Sequence, residues 1–256
     1  METPTEMENT PGNPMMSLGS RLTNVFVAPG EVFDELAKTP PRASNWVVPL
    51  VIAAVVGSIC VFVMFSQPAL IQTLRDQQDA RMRQQVAAGK MTQKQADDAS
   101  AVIDKYMGPS MMKALGILSA IFMNAALLFF IALVVWLVGK LALRAPLDYT
   151  HALDVVGLAM MISILGTVVT TLLIVIYGNL AVKPGPVLLI SHFDPKNVVH
   201  RALAALDLIS LWHCGVLSVG LSRIARTSFI SAAVWIFGLW LFWSSVGVFL
   251  AGLGQG

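Results

Sequence analysis

Long apolar stretches constrain the fold of this chain more than any other feature of its sequence. Five stretches of about twenty residues are rich in Leu, Ile, Val, Ala and Phe, at about 46–66, 115–139, 155–177, 202–221 and 229–250. A helix of about twenty residues spans the ~30 Å hydrocarbon layer of a bilayer. The sequence therefore predicts an all-α fold: a polytopic membrane protein with a five-helix transmembrane bundle.

The fourth stretch differs from the others because it contains two polar residues, Asp207 and His213. An aspartate at the centre of a span costs about 2.5–3.5 kcal/mol on insertion, but Asp207 lies near one end of the stretch. Two interpretations of Asp207 stay open. It caps backbone groups or contacts interfacial water, or it acts on a substrate or a proton.

Three segments flank or interrupt the apolar stretches. Residues 1–17 are acidic and rich in Pro and Gly, which predicts a disordered tail. Residues 18–45 form an amphipathic pre-membrane segment, broken at Pro29 and Gly30, that lies either on the membrane surface or against the membrane domain. Residues 46–252 form the membrane domain itself.

A polar insertion at about 67–113 separates the first two apolar stretches, and its pattern predicts a soluble helical hairpin that turns at Gly89. Its second arm, capped by Thr92, has one apolar face. This face packs on the first arm or on another protein, which makes the hairpin the best candidate for a recognition surface. The members of the face are Ala96, Ala99, Val102, Ile103 and Tyr106.

The sequence offers little chemistry for catalysis. It contains no zinc-protease motif and no phosphate-binding loop, and all its glutamates lie at or before Glu35. We therefore expect no enzyme activity, no catalytic residues, no cofactor and no metal site. His213 is interpreted as a hydrogen-bonded interior histidine rather than a ligand. A net charge of only +2, without a basic stripe, argues against a nucleic-acid partner.

The second apolar stretch carries a stripe of small residues that ends in a polar one. Gly116, Ala120 and Asn124 follow one another at intervals of one helical turn. Small residues let membrane helices approach closely, and an amide can bond across to a neighbour. The stripe predicts close helix packing, with Asn124 as an interhelical hydrogen-bond donor.

Three short segments resemble the Yip family of Ypt/Rab-interacting membrane proteins, and in particular its prokaryotic branch. They are Val25–Ala37, which is similar to the family's pre-membrane P-x-x-x-F segment, Leu206–Trp212, and Gly220–Leu221. The resemblance implies that Asp207 and Trp212 occupy family-pattern positions. It also implies a cytoplasmic amino terminus, an outside carboxyl terminus and no catalysis. The long polar hairpin departs from the compact eukaryotic pattern, which argues against an inherited Rab-trafficking role.

Charges near the ends of the spans favour the same orientation, because Lys140, Arg144, Arg223 and Arg226 flank two short loops. We expect a multi-pass protein of the prokaryotic inner membrane. The first functional hypothesis is a non-catalytic accessory or interaction module for other membrane proteins, as a transporter subunit or in membrane organisation. The alternative is a small transporter or channel with a polar path at Asp207 and Asn124. The expected partners are the lipid bilayer and a membrane protein, and a homo-oligomer stays open.

Overall fold

The computed structural model describes residues 15–106, 108–190, 193–194 and 197–253, and these residues form helices and no strand. Residues 1–14 of the predicted disordered tail lie outside the described residues. The α-helices are α1 (Leu18–Val27), α2 (Pro29–Leu36), α3 (Ser44–Met64), α4 (Pro68–Ala87), α5 (Gln93–Tyr106), α6 (Pro109–Leu137), α7 (Tyr149–Tyr177), α8 (Val198–Ala205), α9 (Leu208–Ile224) and α10 (Phe229–Leu253).

Four helices are long and apolar enough to cross a membrane: α3, α6 with its π-helical extension to Ala142, α7 and α10. Helices α8 and α9 pass the same test together, although they meet at an angle of 46°. Counting that bent pair as one span gives the five predicted spans. The all-α membrane fold is confirmed, but the fourth span is broken at Leu206 and Asp207 rather than continuous.

Helix α7 lies at the centre of the bundle, where it packs against α3, α6 and α9. Close contact with α3 depends on Gly157, because a Cβ atom at this position would overlap the backbone of Trp46. Buried side chains of α7 such as Val155, Leu158 and Ile162 are completely enclosed. The core therefore forms around a helix whose surroundings are mostly other helices, while α10 stays at the edge of the bundle.

The amphipathic segment packs against the membrane domain. Helix α1 contacts α7, and α2 contacts α9. The side chains of Val25, Val32, Phe33 and Leu36 are at most 1% exposed and belong to the same core as the spans. The apolar stripe is thus covered by protein, and the break predicted at Pro29 lets the two short helices follow different neighbours.

The polar insertion forms the predicted hairpin of α4 and α5. Gly89 has a φ of +68° at the turn, a conformation that favours glycine. Thr92 begins the second arm with a capping box, since its Oγ1 accepts from Gln95 N at 3.2 Å and its own N donates to Gln95 Oε1 at 2.9 Å. The two helices pack chiefly on each other.

Successive spans run in opposite directions, so the bundle has two distinct ends. Helices α1 and α2 lie at the amino-terminal end, together with the starts of α3 and α7 and the end of α9. The hairpin, the described part of the segment between α7 and α8, and the break before α9 lie at the other end, which we call the hairpin end.

Candidate functional site

Asp207 lies at the break in the fourth span and caps α9. Its Oδ1 accepts a hydrogen bond from Ile209 N at 3.0 Å, and its Oδ2 accepts one from Ser210 Oγ at 2.8 Å. The backbone next to Asp207 is also bonded to the segment between α7 and α8, because Leu208 N donates to Pro184 O at 3.0 Å. Asp207 therefore satisfies donors exposed by the break, as its structural interpretation predicts.

His213 lies one and a half turns farther along α9 and faces α7. Its Nδ1 is 3.1 Å from Ala159 O and 3.0 Å from Ser163 Oγ. A carbonyl oxygen can only accept, so the bond to Ala159 requires a proton on Nδ1. His213 therefore forms a hydrogen bond from α9 across to α7. Across the described residues, no three His, Cys, Asp or Glu side chains come close enough to hold a metal ion.

A cavity of about 480 Å³ opens between α7 and α9 beside these two residues. Asp207 and His213 both line it, and hydroxyl groups make up much of the rest of its polar surface. The hydroxyls belong to Ser163, Thr167, Thr170, Thr171 and Ser210. The wall is completed by apolar side chains that include Trp240 of α10. The arrangement can hold water or a small polar molecule at membrane depth.

Asn124 does not belong to this cavity. It lies where α6 crosses α3, and a Cβ atom on Gly57 would be 3.6 Å from its Nδ2 and 3.8 Å from Ala120 Cβ. The predicted close packing of the small-residue stripe is thus present. However, Asn124 Nδ2 donates to Ala120 O of its own helix at 2.8 Å, not to a neighbouring helix as the sequence predicted.

Trp212 connects the broken span to the amphipathic segment. Its ring contacts Phe26 of α1 edge to face, with 5.9 Å between the ring centroids. About two turns and three turns farther on, α9 continues to meet this segment. A Cβ on Gly220 would be 3.3 Å from the Phe33 ring, and Arg223 pairs with Asp34 at 3.4 Å. The three segments that carry the family resemblance are therefore neighbours in space.

A buried polar network at the amino-terminal end was missed by the sequence analysis. Arg21 donates through one terminal nitrogen to Glu35 Oε1 at 2.6 Å and through the other to Asn45 Oδ1 at 3.1 Å. Asn45 Nδ2 and Arg42 N both donate to Asp154 Oδ2 at 3.0 Å. We call Arg21, Glu35, Asn45 and Asp154 the amino-terminal network. It joins α1, α2, α3 and α7.

The members of this network are enclosed by protein, since Arg21, Asn45 and Asp154 are at most 2% exposed. Burial alone would raise the pKa of Glu35, but the hydrogen bonds from Arg21 and from Met16 N, with the Arg21 charge, hold it below its ordinary value. A signal for the network was present in the sequence. Arg21 lies four residues before Val25, and Glu35 three after Val32, so both charges fall on the buried faces of their helices.

Comparison with known protein families gives a match over most of the chain. A family model described as the Yip1 domain matches residues 23–251, which is nearly the whole chain. No curated protein and no solved structure matches the chain significantly. The matched region begins within α1 and ends in α10, so it includes the broken span, the hairpin and three members of the amino-terminal network, Glu35, Asn45 and Asp154. Arg21 lies two residues before it.

Proposed function

This chain belongs to the Yip1 domain family and is a multi-pass integral membrane protein, and from this premise we propose that it is a non-catalytic module that binds another membrane protein through its α4–α5 hairpin. The observation that carries the proposal is that the hairpin and the bundle make separate sets of contacts. In the bundle, the spans and the amphipathic segment pack on one another around α7. The hairpin helices contact chiefly each other, so their outer faces are left for a partner.

The surface of the hairpin has the mixed character of a recognition surface. All five charged residues of α4 are exposed: Arg75, Asp76, Asp79, Arg81 and Arg83. On α5, Ala96 is buried, while Val102 is 56% exposed. The apolar face of the second arm is thus only partly covered by the first arm. Charged groups around a small apolar centre are typical of non-obligate interfaces.

The absence of catalysis belongs to the same proposal. The polar groups near the broken span already have structural tasks, since Asp207 caps α9 and His213 bonds to α7. A catalytic site needs a nucleophile or a metal within reach of a base. The arrangement around Asp207 supports a structural role for these side chains.

Affinity purification from mild detergent, followed by quantitative mass spectrometry, tests the interaction. We expect a stoichiometric membrane partner with the wild-type protein, and its loss from a variant lacking residues 76–104. The double variant Arg81→Glu/Arg83→Glu should also lose the partner. Lys38→Glu reverses an exposed charge at the amino-terminal end and should retain it. A partner that survives the deletion, or a monodisperse protein without any partner, contradicts the proposal.

A second candidate function, the passage of a small polar solute, is favoured by the hydroxyl-lined cavity of about 480 Å³ at Asp207. Its polar path excludes Asn124, which packs on Gly57 instead. Cysteine accessibility tests whether the cavity connects to water. Thr167→Cys should react with a membrane-impermeant thiol reagent, while Leu172→Cys, at an exposed apolar position of the same helix, should not. Equal protection of both cysteines argues against this function.

A further inference from the structure

We propose that the groove between α8 and α10 binds an anionic phospholipid, with an acyl chain along the groove and the phosphate between Lys183 and Arg201. This inference is independent of the protein interaction proposed above. It concerns a different face of the bundle and a different class of ligand.

The apolar part of the site is a groove of about 570 Å³ between α8 and the second half of α10. Its volume lies within the ~300–1,000 Å³ range of small-molecule sites. Most of its lining is aliphatic or aromatic, including Ala202, Ala205, Trp240, Leu241, Val248 and Phe249. A groove of this composition on a membrane-facing helix pair fits a hydrocarbon chain.

The polar part is an adjoining cavity of about 470 Å³. The two spaces share Arg201, Trp240 and Ser244, so they adjoin each other along α8 and α10. The cavity adds Lys183, from the segment between α7 and α8. Two basic side chains therefore line a cavity beside an apolar groove, and basic pockets between membrane helices bind phosphate head groups.

Asp207 also lines this cavity, and its carboxylate has to be reconciled with an anionic ligand. Both of its oxygens are engaged, by Ile209 N and by Ser210 Oγ. Its negative charge is therefore directed at the start of α9. The hydroxyl group of Ser244 remains as a further donor for a phosphate or glycerol oxygen.

The position of the site in the bundle favours a phospholipid over free phosphate as the ligand. Lys183 and the start of α8 lie at the hairpin end, and a span of about 30 Å that ends there would meet the head-group layer. Soluble phosphate would need only the two cations. The apolar groove beside them matches the acyl chain of a phospholipid.

Native mass spectrometry of the full chain, released from nanodiscs, tests this site. Nanodiscs contain equal amounts of phosphatidylglycerol and phosphatidylcholine with identical acyl chains. We expect phosphatidylglycerol to be retained preferentially. Lys183→Gln/Arg201→Gln should weaken its apparent affinity about twenty-five-fold, about fivefold for each charge removed. The control Lys90→Gln/Lys94→Gln removes two exposed hairpin charges and should leave retention unchanged.

A groove-filling variant tests the apolar part separately. Ala202→Phe, at a position that lines the groove but not the polar cavity, should reduce retention of both lipids without altering the elution volume of the protein. If Ala202→Phe aggregates, Ser245→Phe fills the same groove and serves as the second variant. Equal retention of the two lipids, an equal loss in the hairpin control, or retention unaffected by filling the groove would overturn the proposal. So would displacement of the lipid by soluble glycerol phosphate at equal concentration, which would indicate a phosphate site without an acyl chain.

Discussion

The two ends of the bundle use polar residues in opposite ways. At the amino-terminal end, four side chains from four helices bond to one another, and three of them are almost completely buried. At the hairpin end, Asp207 bonds only to the start of its own helix, and cavities remain on both sides of it. The amino-terminal network therefore joins four helices, whereas the Asp207 carboxylate bonds within its own segment.

Because of this difference, we expect the amino-terminal end to contribute to stability and the hairpin end to contribute to binding. The amino-terminal network fixes the amphipathic segment to the spans, so substitutions there should act on stability. Substitutions at the hairpin end should act mainly on what the protein binds, because the groups there satisfy local backbone donors and line open space. Thermal unfolding in detergent measures the first kind of effect directly.

The largest effect is expected at Glu35. Glu35→Ala leaves the buried guanidinium of Arg21 without its carboxylate, which should cost about 3 kcal/mol of stability. Glu31→Ala, at an exposed position of the same helix, is the matched control and should change the melting temperature little. Similar melting temperatures for the two variants would show that the network does not hold the amino-terminal end together.

Gly157 is the next most sensitive position. In Gly157→Ala the new methyl group would collide with the backbone of Trp46 and separate α7 from α3, at a cost of about 2 kcal/mol. Gly215→Ala is the control, because a Cβ there has no atom within 4 Å. Alanine favours a helix over glycine, so the control should be neutral or more stable. Equal destabilisation by both would contradict close packing at Gly157.

A smaller effect is expected at the hairpin end. Asp207→Ala removes the cap of α9 and should cost about 1 kcal/mol, while Asp207→Asn keeps an accepting oxygen and should cost less. Circular dichroism melting curves distinguish the two variants. A loss of stability as large as that of Glu35→Ala would show that Asp207 stabilises the bundle as strongly as the amino-terminal network does. The contrast between the two ends would then be wrong.

The smallest effect is expected from acid. The pKa of Glu35 is lowered from an ordinary value of 4.5, so the carboxylate binds protons more readily in the unfolded chain than in the folded one. Its contribution is complete above about pH 5 and is lost as pH falls through the lowered pKa. The melting-temperature difference between the wild type and Glu35→Gln should therefore be constant near neutral pH and shrink below about pH 4.5. A constant difference down to pH 3 would contradict the ion pair.

Much of the fold could be predicted from one-dimensional patterns. The length of the apolar stretches predicted the spans. The breaks at Pro29 and Gly89 could be predicted because proline and glycine affect the backbone at their own positions, whatever the rest of the fold. The capping interpretation of Asp207 was also available, because its position near the end of an apolar stretch limits what it can do. The break in the fourth span was not predicted, since hydropathy averages over the two residues at which the helix bends.

The candidate sites were harder to predict. Asn124 and Asp207 were predicted to share one polar path. The rotation of each helix about its axis instead places Asn124 between α6 and α3, and Asp207 between α7 and α9. The amino-terminal network was missed because Arg21 and Asp154 lie far apart in the chain, and each looks like a polar flank of its own segment.

The sequence by itself determined that this protein is helical and crosses a membrane, because hydrocarbon thickness and backbone hydrogen bonding leave a chain with such apolar stretches no other solution. Only the tertiary structure decided which polar groups meet. Their pairing depends on how each helix is rotated and how closely it approaches its neighbours, and contacts such as that of Gly157 with Trp46 fix both.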